Sequence, residues 1–137
     1  MNFNDLILRQ GLYYKKFTDV PFTGKFTGII QGDIIDGKQE GKWITYYNNG
    51  QVKSKYNYKD GELEDECSEF RDNGDLKSKG IYKNGKKDGE WLEYYQNGKL
   101  WSKSNYKNGK KDGEWLEYRN DGQLRYEINF KDGERSD

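Results

Sequence analysis

Lys83-Asn84-Gly85-Lys86-Lys87-Asp88-Gly89-Glu90-Trp91-Leu92-Glu93-Tyr94 is repeated without change as Lys107 to Tyr118, 24 residues further on. The same spacing runs outward from this pair. Gly37, Gly61, Gly85, Gly109 and Gly133 form one series, and Gly50, Gly74, Gly98 and Gly122 a second. Gly41, Asp65, Gly89 and Gly113 form a third, with one lapse. Aromatics keep the same phase: Tyr46, Phe70, Tyr94 and Tyr118, then Tyr58, Tyr82, Tyr106 and Phe130. A tryptophan series reads Trp43, Cys67, Trp91 and Trp115. Several residue classes held in phase over four units mark a repeat protein.

Each unit reads as strand, tight turn, strand, turn. In 89–112, Glu90 to Tyr95 alternates in character, Gln96-Asn97-Gly98 supplies a turn, and Lys99 to Lys107 returns. Asn108-Gly109 opens the connection to the next unit. A glycine every dozen residues would interrupt a helix. The chain is therefore read as all-β, an antiparallel sheet of tandem 24-residue hairpins.

The turn fixes a testable register. A three-residue loop with glycine last sets Tyr46 opposite Val52, Phe70 opposite Leu76, Tyr94 opposite Leu100 and Tyr118 opposite Leu124. Carried along the strands, the same register pairs Glu69 with Lys77, Glu117 with Arg125, Trp43 with Lys55 and Trp91 with Lys103. It assigns Ile44, Tyr46, Val52, Ser54, Tyr56 and Tyr58 to the core side. Trp43, Tyr47, Trp91, Tyr95, Trp101 and Trp115 then stand on the opposite face among Lys, Arg and Glu.

The 137 residues suit one repeat domain. It divides into an N-terminal cap and shortened hairpin over 1–40, then repeats at 41–64, 65–88, 89–112 and 113–136. In the first part, Leu12 to Phe17 reads as an extra strand and Val20-Pro21 as a turn, with residues 3–17 capping the first hairpin. The tail from Lys131 to Asp137 is charged and discourages strand addition at that edge. Only 31% of residues are hydrophobic, 35% are charged and the mean hydropathy is −1.31, yet aromatics reach 16%. That combination suits a thin, mostly single-layer sheet with wet faces.

Lys plus Arg and Asp plus Glu balance at 24 each, which argues against a nucleic-acid partner. Histidine is absent, so histidine acid–base catalysis and histidine metal sites are excluded. Cys67 sits in a tryptophan slot and reads as a small packing residue. The acidic run Glu62-Leu63-Glu64-Asp65-Glu66 lacks the ligand spacing of a calcium loop. The chain is expected to be no enzyme and to need no cofactor or metal. One cysteine fits a reducing compartment, and the N-terminal residues lack a basic and apolar leader pattern, so a cytoplasmic protein is the expectation.

The phrase Gly89-Glu90-Trp91-Leu92-Glu93-Tyr94-Tyr95-Gln96-Asn97-Gly98-Lys99-Leu100, followed by Tyr106-Lys107-Asn108-Gly109, resembles the MORN repeat in its bacterial variant form, found in antitoxins of the YwqK type. Pro21-Phe22-Thr23-Gly24-Lys25 resembles the opening of such proteins. The resemblance covers about residues 12–134. It implies an elongated, twisted single antiparallel sheet, and an immunity or antitoxin role beside a toxin; other members are scaffolds, some discussed as lipid binders. Repeat 65–88 departs from the pattern at Asp65 and Cys67.

The expected function is thus docking of a sheet face on a protein partner, a toxin. The residues assigned to that contact are Trp43, Tyr47, Trp91, Tyr95, Trp101, Trp115, Glu93, Glu117 and Lys103, because aromatics set among charges make interface anchors. The alternative is a scaffold that associates with membrane lipid or another protein through the Lys-Lys-Asp-Gly turns. Balanced charge argues against a membrane partner. In isolation a monomer or an end-to-end dimer is expected.

Overall fold

Two turn chemistries alternate along the chain and dictate a meander. In the first, Gly50 has φ of +88° and donates its amide to Tyr47 O at 3.0 Å, while Tyr47 donates to Gln51 O at 2.8 Å. In the second, both central residues take the left-handed region, as at Asn84 (φ +51°) and Gly85 (φ +79°), the geometry that matches strand twist in two-residue hairpins. Asp60-Gly61, Asn108-Gly109 and Asp132-Gly133 repeat it.

The computed structural model describes residues 3–136. Met1 and Asn2, which the reading above places in the cap, and Asp137, placed in the charged tail, lie outside the described residues. A 3-10 turn (Phe3–Asp5) leads into a separate hairpin of β1 (Leu6–Arg9) and β2 (Leu12–Lys15). The main sheet begins with β3 (Gly24–Phe26), β4 (Ile30–Ile35), β5 (Lys38–Tyr46) and β6 (Val52–Lys59). It continues through β7 (Glu62–Leu63), β8 (Asp65–Phe70), β9 (Leu76–Lys83), β10 (Lys86–Lys87), β11 (Gly89–Tyr94) and β12 (Leu100–Lys107). Then follow β13 (Lys110–Lys111), β14 (Gly113–Tyr118), β15 (Leu124–Lys131) and β16 (Glu134–Arg135). Order in space follows order in sequence, and every pairing is antiparallel.

The N-terminal region differs in detail from expectation. The strand at Leu12 pairs with Leu6–Arg9 in its own small sheet, not with the repeats. Pro21 bridges to Tyr14 just after a bend at Val20. The shortened hairpin is β3 with β4.

The predicted register holds next to each loop and then slips. Tyr46–Val52, Phe70–Leu76, Tyr94–Leu100 and Tyr118–Leu124 pair as expected. One step further, Thr45 faces Ser54, Glu69 faces Ser78, Glu93 faces Ser102 and Glu117 faces Tyr126. One extra residue on the return strand (Lys53, Lys77, Trp101 or Arg125) forms a bulge in all four repeats. Since a one-residue shift exchanges the faces of a strand, the expected pairs are corrected. Trp43 faces Tyr56 rather than Lys55, and Trp91 faces Ser104 rather than Lys103. Glu69 and Glu117 lose Lys77 and Arg125 as ladder partners, though Arg125 still reaches Glu117 at 4.0 Å.

The face assignment changes with the register. Ser54, Tyr56 and Tyr58 share a face with Trp43, while Ile44, Tyr46 and Val52 point to the other. Burial explains the choice: the bulge gathers tryptophans and return-strand tyrosines on one side, where Trp43 meets Tyr58 at 6.1 Å and Trp91 meets Tyr106 at 6.3 Å. This side is called the indole face below, and the other the lysine face.

The core is small and eccentric. Phe26, Ile34 and Trp43 are buried, with Phe3, Leu6, Tyr13, Phe22, Ile30 and Tyr58 packed on them. The N-terminal segment thus covers the indole face over the first repeat.

Candidate binding face

A single row of side chains crosses the indole face. It reads Phe26, Gly32, Trp43, Tyr56, Cys67, Gly80, Trp91, Ser104, Trp115 and Ile128. Large and small residues share the space. A Cβ on Gly32 would fall 2.3 Å from the Trp43 ring, and one on Gly80 2.2 Å from the Trp91 ring. Trp43 Nε1 donates to Asp33 O at 3.1 Å and Trp91 Nε1 to Ile81 O at 3.2 Å, so each indole lies over the preceding hairpin. Trp115, beside Ser104, buries Nε1 without a partner among the described residues. At Cys67 the bulk is exchanged: the tryptophan is lost where the small neighbour becomes Tyr56.

Lysines do lie on the indoles, but not those expected. Lys87 Nζ sits 4.4 Å from the Trp91 ring centre and 5.0 Å from that of Tyr106. Lys111 Nζ sits 4.1 Å from Trp115 and 5.0 Å from Phe130. These cation–π contacts leave half-buried indoles with charged rims.

Of the assigned contact residues, Trp43 is only 4% exposed, beneath Phe3 and Phe26, which removes it from any docking surface. Trp91 and Trp115 are half-buried and stand two strands apart, about 10 Å. Tyr47 and Tyr95 are half-buried clasps: their hydroxyls donate to Phe70 O and Tyr118 O, both at 2.7 Å. Trp101 is 39% exposed, its ring 6.3 Å from that of Tyr95. Glu93 is half-buried, and Glu117 accepts a hydrogen bond from Tyr126. Lys103 belongs to the lysine face, where it pairs with Glu90 at 3.4 Å.

The structure therefore brings together Trp91, Tyr95, Trp101, Trp115, Glu93 and Glu117 on the third and fourth repeats. Tyr47 lies nearer the N-terminus and Lys103 on the far side. Sequence reasoning missed Tyr82, Tyr106, Phe130, Lys87 and Lys111 as members of this face. Their signal was the row of small residues, Gly32, Gly80 and Ser104, each needed for an indole to lie down.

Acidic residues serve the turns. Glu64 accepts the Asn84 amide and Glu40 the Asp60 amide, both at 2.8 Å. Among the described residues no three His, Cys, Asp or Glu side chains converge in a way that could hold a metal ion. Cys67 is 5% exposed, and burial pushes its thiol up to about 11. Among the described residues no helix is long and apolar enough to cross a membrane.

A family model described as the MORN repeat variant matches residues 39–60, 66–84, 87–108 and 111–132, together more than half of the chain. No curated protein matches it.

Proposed function

The chain belongs to the MORN repeat variant family, and from that premise we propose that it is a protein-binding immunity or antitoxin protein. It neutralises a toxin by docking the indole face of its third and fourth repeats on it, and it carries out no reaction of its own. The observation that carries this reading is the half-exposed group Trp91, Tyr95, Trp101 and Trp115, laced with Glu93, Glu117, Lys87 and Lys111. Rigid aromatics beside charges concentrate binding energy. The backbone ladders and the tyrosine clasps hold them in place, so little ordering is lost on binding.

Affinity capture from the protein's own cells tests the reading. One protein in stoichiometric complex is expected, and co-expression restores growth to cells carrying that protein alone. Trp101→Ala with Trp115→Ala weakens the complex at least about tenfold. Absence of a stoichiometric protein partner refutes the reading, as does a complex indifferent to both substitutions.

A second reading, a scaffold on membrane surfaces, draws on the Lys86-Lys87 and Lys110-Lys111 pairs along one margin. Sedimentation of the protein with anionic vesicles, abolished by salt, supports it; protein left in the supernatant when the vesicles pellet excludes it.

A further inference from the structure

The second repeat departs from its siblings on the lysine face as well. Across that face one row reads Gln31, Ile44, Lys55, Ser68, Lys79, Leu92, Lys103 and Leu116. A branched aliphatic residue fills the outgoing-strand position in the first, third and fourth repeats, as Ile44, Leu92 and Leu116. Ser68 leaves that place open. Two adjoining hollows of about 220 and 230 Å³ result, sharing Glu66, Cys67 and Ser68. Ile44 walls one side and Leu92 the other.

We propose that this slot is an anchor pocket for a protein partner, and that it receives that partner's C-terminal residue, which joins an apolar side chain to a carboxylate. The walls supply apolar contact and the rim supplies positive charge. Lys42, Lys55 and Lys79 line the slot against the carboxylates of Glu66 and Glu90. Glu90 is held by Lys103 at 3.4 Å, and none of the three lysines has an ion-pair partner among the described residues. Lys55 and Lys79 both pair with Ser68, from opposite sides, so the floor hydroxyl stands between two ammonium-bearing strands. A cationic occupant would meet three lysines. A purely apolar one would desolvate their heads without return. An aromatic or branched group with a carboxylate beside it satisfies both.

The pocket lies on the opposite side from Trp91 and Trp101, so it stands or falls separately from the docking reading above. The test uses the full chain and 3-phenylpropionate, which carries a ring and a carboxylate, followed by nitrogen–proton correlation NMR. Saturable shifts of the Ser68, Gly80 and Leu92 amides at millimolar probe are expected, with no such response to phenethylammonium. Ser68→Leu, which restores the residue type of the other repeats, fills the slot and abolishes the response while the melting temperature holds. Lys55→Gln with Lys79→Gln, which leaves the slot open, weakens binding roughly tenfold. Trp101→Ala leaves the response unchanged. The proposal is overturned by no response at millimolar probe, by an equal response to phenethylammonium, or by binding indifferent to Ser68→Leu. Should Ser68→Leu not fold, binding indifferent to the double lysine variant overturns it equally.

Discussion

Trp91 lies against the backbone of Gly80 so closely that a Cβ built there would fall 2.2 Å from the indole. The relation recurs at Trp43 and Gly32 and is inverted at Cys67 and Tyr56, where the strand pair keeps its spacing and the bulk changes sides. At each junction between one hairpin and the next, the row thus carries one large ring.

Gly80→Ala should therefore destabilise the fold by overpacking, by about 1–3 kcal/mol. Gly80 does not have a positive φ, so the cost is steric rather than conformational. Urea denaturation followed by tryptophan fluorescence measures it. Gly80→Tyr combined with Trp91→Cys copies the second repeat. It should cost less than the two single changes added together, with a coupling of about 0.5–3 kcal/mol. Strict additivity would mean that the two side chains do not compete for one space.

The tyrosine clasps link hairpins beyond their ladders. Tyr47 reaches Phe70 O and Tyr95 reaches Tyr118 O, while Arg71 occupies the equivalent slot and donates to Tyr94 O at 2.9 Å. Tyr95→Phe keeps the ring and removes the donor, and should cost about 1 kcal/mol. Hydrogen exchange should quicken around 118–123 and hold around 54–58. Uniform quickening would show that the repeats open as one unit and that the bond does no local work.

Much of this was legible in the sequence, because turns and period are written in residue types. Glycine and asparagine mark every left-handed position of the repeated two-residue turns except those held by aspartate, and the first pair beside each loop follows directly from loop length. The bulge was not legible. Its extra residue is Lys53, Lys77, Trp101 or Arg125, and no shared chemistry announces it. What forces it is the joint burial of Trp43 with Tyr58 and of Trp91 with Tyr106, a gain visible only when both strands are in place. The fate of Trp43 was equally hidden. It shares its slot with Trp91, yet a segment far upstream covers it, and a 24-residue period carries no information about a non-repeating cap.

That cap supplies the next expectation. Phe3 stands 5.2 Å from the Phe26 ring, 5.4 Å from Tyr13 and 6.2 Å from Trp43. Phe3→Ala should cost about 2 kcal/mol, below the value for a fully buried ring because Phe3 is partly exposed. Trp43 emission should shift to the red as its ring becomes wet, and a Trp43→Phe background should remove that shift. An unchanged spectrum would mean that the N-terminal turn does not seat on the first repeat.

The last expectation concerns alkaline pH. Burial raises the Cys67 thiol from 9.0 to about 11, against smaller lowering effects from the Gly80 backbone and Lys87. Burial likewise raises the phenols of Tyr58 and Tyr82, and that of Tyr56, which also donates to Glu69 at 2.8 Å. All these groups are held neutral in the folded chain and ionise more readily when it unfolds. The folded value lies above the unfolded one, so the thiol's contribution is complete below pH 9 and is lost as pH rises through about 11. The urea midpoint should stay level up to about pH 9 and fall beyond it. Cys67→Ala should flatten the first part of that fall and leave the later part, which belongs to the tyrosines. Since only the opened chain exposes the thiolate, reaction of Cys67 with a disulfide reagent should follow the opening equilibrium and accelerate with urea. Rapid reaction in the absence of denaturant would show instead that the thiol is reachable beside Tyr56, and that the exchange of bulk between these two residues leaves a gap.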